Sequence, residues 1–426
     1  MLADTPRAGD VAHVTLRLGR LMLVNGADTT TVRDAVTSFA QQFGYDVHLL
    51  VLFEGIVLTL KSDAGLLTKL GSSVSGPAVN MGALAELEAI RMTTSTTGDV
   101  SEIDRRLEQV ERSGNHYPGW LVMLGMGFTA ASLARLFGGD WSVVGVSVVV
   151  GIVTQWLRQH LGNASSNPIA SAALAAFGGG LVGALFMKTF PSASPTLCLV
   201  AAGMILVPGV PLINGVRDVL GGHAGPGIAR LMVGTITVLA IALGLFVAAN
   251  VAFDALPVDG ALPLLPVAED FLFSALAGFG FALLFNVPMR AAWACGFCSM
   301  AGHGLRTAIQ HLGVDLTLAS LAGAFAATGL ARLVGYRYDV PAVTFAFPGV
   351  VAMIPGSYAF RAGVGGLAIM HAGSGASAGL IGQTMGLAVT AVLVTAAIAI
   401  GLVLALAVIT FPSTKSRRAE AKRNIG

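Results

Sequence analysis

Apolar and polar positions follow two different rhythms on either side of residue 118. Before it, apolar residues recur with short periods among charges. Val11, Val14, Leu18, Leu21 and Met22 share one face of a helix that runs to about Val24. Asn25-Gly26 breaks it, and Thr29-Thr30-Thr31 opens a second helix with Val32, Ala35, Val36, Phe39 and Ala40 on one face, stopped by Gly44. The runs 47–53 and 56–60 are rich in β-formers, 61–65 reads as a turn, and 66–70 as a third strand. Residues 78–91 and 100–112 return to a helical period. The pattern predicts a small α/β layer domain over residues 1–118.

After residue 118 the chain becomes a series of apolar runs, each near the roughly 20 residues a helix needs to cross a bilayer. They cover 119–137, 141–158, 169–187, 195–214, 228–251, 267–286, 288–305, 315–335, 339–358 and 376–411. Two of them are interrupted. Val207-Pro208-Gly209 breaks the fourth, and Ile354-Pro355-Gly356 breaks the ninth. Proline removes a backbone donor and clashes with the preceding turn, so such a break survives in a membrane only inside protein or beside a watery cavity. Gln159-His160-Leu161-Gly162 likewise recurs as Gln310-His311-Leu312-Gly313. Matching breaks in two halves of five helices each predict an inverted repeat, the second copy entering the membrane upside down. The expected organisation is a cytoplasmic α/β domain (1–118), a first membrane repeat (119–251), a second (252–411) and a basic cytoplasmic tail (412–426).

Composition agrees. Of the 426 residues 54% are hydrophobic and only 11% charged, where a soluble domain averages about 25%. Residues 1–118 carry 10 Lys/Arg against 14 Asp/Glu, and the remainder 15 against 9. The three cysteines all fall in apolar runs, so no disulfide framework is expected, and Cys295-x-x-Cys298 reads as small packing residues. Residues 1–30 carry scattered charges and no signal-peptide core. With the N-terminus inside, most Lys/Arg at helix ends fall on the cytoplasmic side, as the positive-inside rule requires. Arg135, Arg158, Lys188, Arg230, Arg332 and Arg337 read as helix-end anchors. The expected setting is the inner membrane, with both termini cytoplasmic. No metal, cofactor or nucleic-acid motif stands out, and no Walker A loop is present for ATP.

Leu18-Gly19-Arg20-Leu21-Met22-Leu23-Val24-Asn25-Gly26-Ala27-Asp28-Thr29 resembles the opening motif of the threonine/serine exporter family. Tyr117-Pro118-Gly119-Trp120 and Gly138-Gly139-Asp140-Trp141 are similar to that family's first membrane helix and the turn after it. The family's usual Arg and Glu after this motif are Thr31 and Arg33 here. The resemblance covers most of the chain. It implies ten membrane segments behind a cytoplasmic domain, and proton-driven export of small amino acids, with substrate, protons and lipid as partners and no catalysis. Association of further copies stays open.

An amino acid is a zwitterion and needs both signs of charge close together. Pro208, Gly209, Asn214, Arg217 and Asp218 offer an unwound backbone, a guanidinium for a carboxylate and a carboxylate for an ammonium; the alternative is an Arg–Asp pair in a cytoplasmic loop. Pro355, Gly356, Ser357, Tyr358 and Arg361 would form the facing wall, or pack helices. His303 and Arg306, spaced i, i+3, suit proton coupling, or a satisfied structural histidine. Asp140 suits a proton relay, or a helix cap for 141–143. Asp254, Asp259, Glu269 and Asp270 read as an acidic, solvated outer connector, and His371 as part of a flexible loop over 371–379. Three further readings remain: a dicarboxylate exporter, which would prefer Arg217 and Arg361 converging without Asp218; a membrane-tethered hydrolase using His48 or Glu54; and a structural or channel-forming protein with no gradient coupling.

Overall fold

Helix α1 (Ala8–Val24) buries Val11, Val14, Leu18, Leu21 and Met22 against the elements that follow it. The geometry is that of a computed structural model describing residues 8–62, 65–71, 79–93, 99–114, 116–164, 167–189, 195–252, 264–338 and 340–409. The expected basic tail, and Asp254 and Asp259, lie outside these. Helix α2 (Thr29–Gln41) starts where Asp28 accepts hydrogen bonds from the Thr31 backbone N–H at 3.4 Å and its hydroxyl at 2.6 Å. Strands β1 (Asp46–Val51), β2 (Ile56–Ser62) and β3 (Gly65–Leu70) form an antiparallel sheet in that order, with Leu49 opposite Leu58 and Leu60 opposite Leu67. Leu58 and Leu60 face α1, whereas Leu50, Leu66 and Leu70 are exposed. Helices α3 (Met81–Thr93) and α4 (Val100–Arg112) complete the layer. Arg17 of α1 reaches Asp104 at 2.8 Å and Glu111 at 2.7 Å on α4.

The apolar runs are helices α5 (Gly119–Leu136), α6 (Trp141–Ala164), α7 (Pro168–Thr189), α8 (Pro195–Met204), α9 (Gly209–Leu220), α10 (Ala224–Ala252), α11 (Val267–Leu284), α12 (Met289–His311), α13 (Leu316–Tyr338), α14 (Val343–Val351), α15 (Gly356–Ala372) and α16 (Ala378–Val408). Among the described residues seven of these are long and apolar enough to span a bilayer alone, or up to nine spans if each bent pair, α8–α9 and α14–α15, counts as one. Helix α12 is 23 residues long but carries Arg290, His303, Arg306 and His311, which lower its hydropathy. The protein is a multi-pass helical membrane protein.

Two differences from the sequence expectation matter. The broken segments do not end soon after their prolines. Proline needs no intrahelical donor at a helix start, so α9 and α15 begin there and continue to Leu220 and Ala372. The expected loop over 371–379 therefore shrinks to a 3-10 turn, Gly373–Gly375, and its flanks, with His371 on the end of α15.

The two sets of helices repeat one neighbour scheme. α5 packs on α6, α6 on α7, α7 on α10 and α9 on α10; likewise α11 on α12, α12 on α13, α13 on α16 and α15 on α16. Between the sets, α5 meets α11, α10 meets α15 and α9 meets α16. One close backbone crossing also recurs in both sets. A Cβ on Gly244 of α10 would run into the Ala173 carbonyl oxygen and lie 3.1 Å from Phe177 N. A Cβ on Gly401 of α16 would run into the Leu321 carbonyl oxygen and lie 3.1 Å from Phe325 N. Backbone cannot yield as a side-chain tip can, so Gly244→Leu or Gly401→Leu should lower stability by at least the roughly 1–3 kcal/mol of core overpacking. Gly386→Leu, where nothing lies within 4 Å, should be tolerated. Melting temperature and monodisperse yield in detergent check this; equal behaviour of the three variants would refute the close crossings.

Candidate functional site

The two breaks have the same local geometry. Pro208 has φ −75°, ψ 59° and Pro355 has φ −76°, ψ 50°. In each, the following glycine N–H donates to the carbonyl two residues back: Gly209 to Val207 at 2.8 Å, and Gly356 to Ile354 at 2.7 Å. Both are inverse γ-turns centred on proline, and they bend the helix pairs by 61° and 51°. They also interlock. A Cβ on Gly209 would strike Ile354 Cδ1, and a Cβ on Gly356 would lie 2.7 Å from Val207 Cγ2. Each break therefore presses its glycine against the residue before the other break's proline, the exchange a two-fold relation produces. Val207 is partly buried and Ile354 buried, so the crossing lies inside the protein.

The residues after the first break are engaged by the N-terminal layer. Loop 26–29 turns between α1 and α2, with Gly26 at φ +96°, where a side chain would be strained. Its Gly26 carbonyl accepts from Asn214 Nδ2 at 2.9 Å, and its Ala27 carbonyl from Arg230 Nη2 at 2.9 Å. Thr29 donates twice to Asp218, from backbone N–H at 2.8 Å and hydroxyl at 3.0 Å. Arg230 Nε sits 3.0 Å from Asp218 Oδ2, and Arg217 Nη2 3.1 Å from Asp28 Oδ1. Arg217 also donates to Asn214 Oδ1 at 3.0 Å and lies over the Phe347 ring of α14. Asn214, Asp218, Asp28 and Arg230 are all buried. Two acids and two arginines thus neutralise one another, with hydrogen bonds on both carboxylates, which is what tolerable charge burial requires. Burial raises the Asp28 carboxyl, but Arg217 and the Thr31 donors outweigh it and hold it below the ordinary aspartate value. Its share of the docking is therefore complete above the ordinary carboxylate range and lost as pH falls through the lowered value.

Of the sequence candidates, Asn214, Arg217 and Asp218 come together, joined by Asp28, Thr29 and Arg230. Arg230 is not a helix-end anchor: it is 4% exposed, and the Ala27 carbonyl and Asp218 hold it inward. Beside this cluster a cavity of about 440 Å³ opens between the N-terminal layer and the helices, lined by Asp28, Asp34, Glu88, Arg91, Arg217, Arg332 and Phe347 among others. Ser357, Tyr358 and Arg361 do not line it. Ser357 is fully buried, its hydroxyl without a partner among the described residues. Tyr358 and Arg361 are half-buried on α15.

A second polar cluster lies at the other end of α11. The C-terminal end of that helix meets the N-terminal layer, where Asn286 accepts from His116 N–H at 2.6 Å and donates to Asn80 at 3.0 Å. At its N-terminal end Asp270 is 1% exposed. It accepts from His303 Nδ1 at 2.8 Å and from the Thr307 hydroxyl at 2.7 Å. The expected solvated connector is thus corrected for its last two acids: both sit in the first turn of α11. Glu269 pairs with Arg135, which also lies over Trp141. Arg306, 9% exposed, donates to the Met353 carbonyl at 3.3 Å, just before the second break. Asp140 accepts from Val143 N–H at 3.0 Å, as a cap. His48 and Glu54 are exposed.

A multi-pass helical bundle holding two interlocked, charge-flanked helix breaks is a membrane transporter architecture. The chain belongs to the threonine/serine exporter family. A model described as "Putative threonine/serine exporter" matches residues 13–252, and one described as "Threonine/Serine exporter, ThrE" matches residues 270–408. The boundary between them falls between α10 and α11, where the neighbour scheme repeats. Similar proteins include the "Probable succinate transporter subunit YjjP" of Klebsiella aerogenes, 28% identical over 58% of this chain and 96% of that one, and of Escherichia coli, 27% identical over 58% and 97%. A "Probable threonine/serine exporter" of Mycobacterium tuberculosis is 23% identical over 83% of this chain and 69% of its own. No solved structure matches the chain.

Proposed function

We propose that this protein is a secondary active exporter of threonine and serine, driven by the proton gradient across the inner membrane. The observation that carries the reading is the interlocking of the two proline breaks at the junction of two equivalent helix sets. Counting α12 and each bent pair as spans gives ten helices in a 5+5 arrangement. An odd number per half places the second half upside down, with its two-fold axis in the membrane plane. Alternating access then follows from rocking one half against the other around the breaks.

The proposed division is residues 1–118 as a cytoplasmic domain, 119–251 and 252–411 as membrane repeats, and 412–426 as a cytoplasmic tail. The cytoplasmic domain acts as the inner gate. Its loop 26–29 grips α9 and α10, and releasing it would free Arg217, Asp218 and Asn214 beside the cavity for a zwitterion. The cavity's mixed charge suits an amino acid. Pro208, Gly209, Pro355 and Gly356 supply the flexible backbone, with Ser357, Tyr358 and Arg361 toward the outer side. His303, Arg306 and Asp140 are candidates for proton coupling.

Succinate is the second reading, favoured by the names of the two subunit relatives. Uptake of labelled threonine into proteoliposomes, with and without an imposed pH gradient, tests the proposal. The expected result is gradient-stimulated threonine flux, competed by unlabelled serine and not by succinate. Succinate flux without threonine flux would replace it with the dicarboxylate reading, and no flux of either would refute both.

A further inference from the structure

The cluster at the N-terminal end of α11 is built around Asp270, which is 1% exposed. Asp270 takes hydrogen bonds from His303 Nδ1 and Thr307. A carboxylate acceptor fixes the neutral imidazole with its proton on Nδ1, which leaves the lone pair on Nε2. That Nε2 is buried and has no partner among the described residues. It belongs to a side chain 1% exposed. A buried acceptor with nothing to accept from is costly unless it serves a purpose.

The surroundings set what it can accept. The charged groups acting on it are Asp270 on α11 and Arg306 on α12, with Tyr358 of α15 near Arg306 and Glu269 next to Asp270 in the first turn of α11. Helix α14 and the part of α13 that packs here, through Ser320, Gly323 and Ala327, bring no ionisable side chain. Glu269 is already paired with Arg135. With imidazole neutral, Asp270 and Arg306 balance, and one proton on Nε2 makes the cluster cationic. Asp270 faces that imidazolium and favours it, while burial and the neighbouring Arg306 oppose it, so an added proton is held reversibly. Arg306 then feels a new positive charge one turn away on its own helix. Its other contact is the Met353 carbonyl, the last turn before the second break.

We propose that Asp270 and His303 form the proton-binding site of the carrier, and that Arg306 passes its charge state to the α14–α15 break. The proposal rests on the transport reading above and deepens it by naming the acceptor atom and the link. A proton from the outer water joins the Nε2 lone pair; the donor hydronium leaves as water, and no other bond changes. The imidazolium competes with Arg306 for Asp270 and pushes the guanidinium toward the Met353 carbonyl. Release toward the inner side, once the breaks have shifted, restores the neutral imidazole.

The test separates coupling from transport. Native protein should perform threonine counterflow with no gradient, and one pH unit should raise net flux by up to about tenfold for one proton per substrate. Asp270→Asn and His303→Gln should keep counterflow within about twofold of native and lose the gradient response, which falls to about onefold; a pH dye should report no threonine-linked proton flux. His303→Gln keeps a donor toward Asp270 and cannot titrate, so it carries the test if Asp270→Asn fails to fold. A gradient response retained by folded His303→Gln would overturn the proposal while leaving threonine export standing. Loss of counterflow along with the response in both folded variants would also overturn it, making the pair part of the binding or packing machinery. Absence of threonine flux in native protein would instead count against the transport reading itself.

Discussion

Replacing Asp218 with alanine is expected to release the N-terminal layer from the helices and destabilise the protein by about 3–5 kcal/mol, the usual result of leaving a buried partner charge uncompensated. Asp218 is 1% exposed and receives Arg230 and both donors of Thr29. Without it Arg230 keeps the Ala27 carbonyl, and Thr29 loses the one residue that accepts from both its donors. Two readouts check this: the melting temperature in detergent, and protease cleavage in the segments joining the layer to α5. Alanine should lower the first and accelerate the second. The double variant Asp218→Leu with Arg230→Met should recover much of the melting temperature, because an apolar pair of similar size avoids the desolvation cost of the ion pair. It should not recover regulated flux, because the loop would no longer be read by charge. An unchanged melting temperature in Asp218→Ala would mean that the layer is held elsewhere.

The sequence carried the elements more fully than the contacts between them. Helices and strands of residues 8–112 were legible because apolar periods are short and punctuated by Asn25-Gly26 and Gly44, signals that act within a few residues. The breaks were legible because proline and glycine dictate backbone locally. The latch was not. Thr29 and Asp218 are 189 residues apart, and nothing local to Asp28-Thr29 says that its partners lie on α9 and α10. Arg230 was misread because a cation near a helix start has the same local sequence whether it faces water or a carboxylate. Asp270 was misread from the acidic, proline-rich stretch before it. The available signal was spacing: His303, Arg306 and Thr307 fall at i, i+3 and i+4, so one face of an apolar helix is polar and must meet a partner. A cavity lies beside loop 26–29, where the N-terminal layer and the helices meet without filling the space, and no local signal in the sequence marks it.

The interlocked breaks are the centre of the account, and one measurement addresses them directly. In a chain whose buried Cys198, Cys295 and Cys298 are replaced by alanine, Val207→Cys with Gly356→Cys places two thiols where Val207 Cγ2 now lies 2.7 Å from an ideal Cβ on residue 356, close enough for a disulfide. The reduced protein should take up threonine in proteoliposomes. Oxidation should bring uptake to background, and reductant should restore it, because the two halves can no longer move past each other at the crossing. Full uptake by the quantitatively cross-linked protein would contradict the account, since substrate would then cross without relative motion of the breaks.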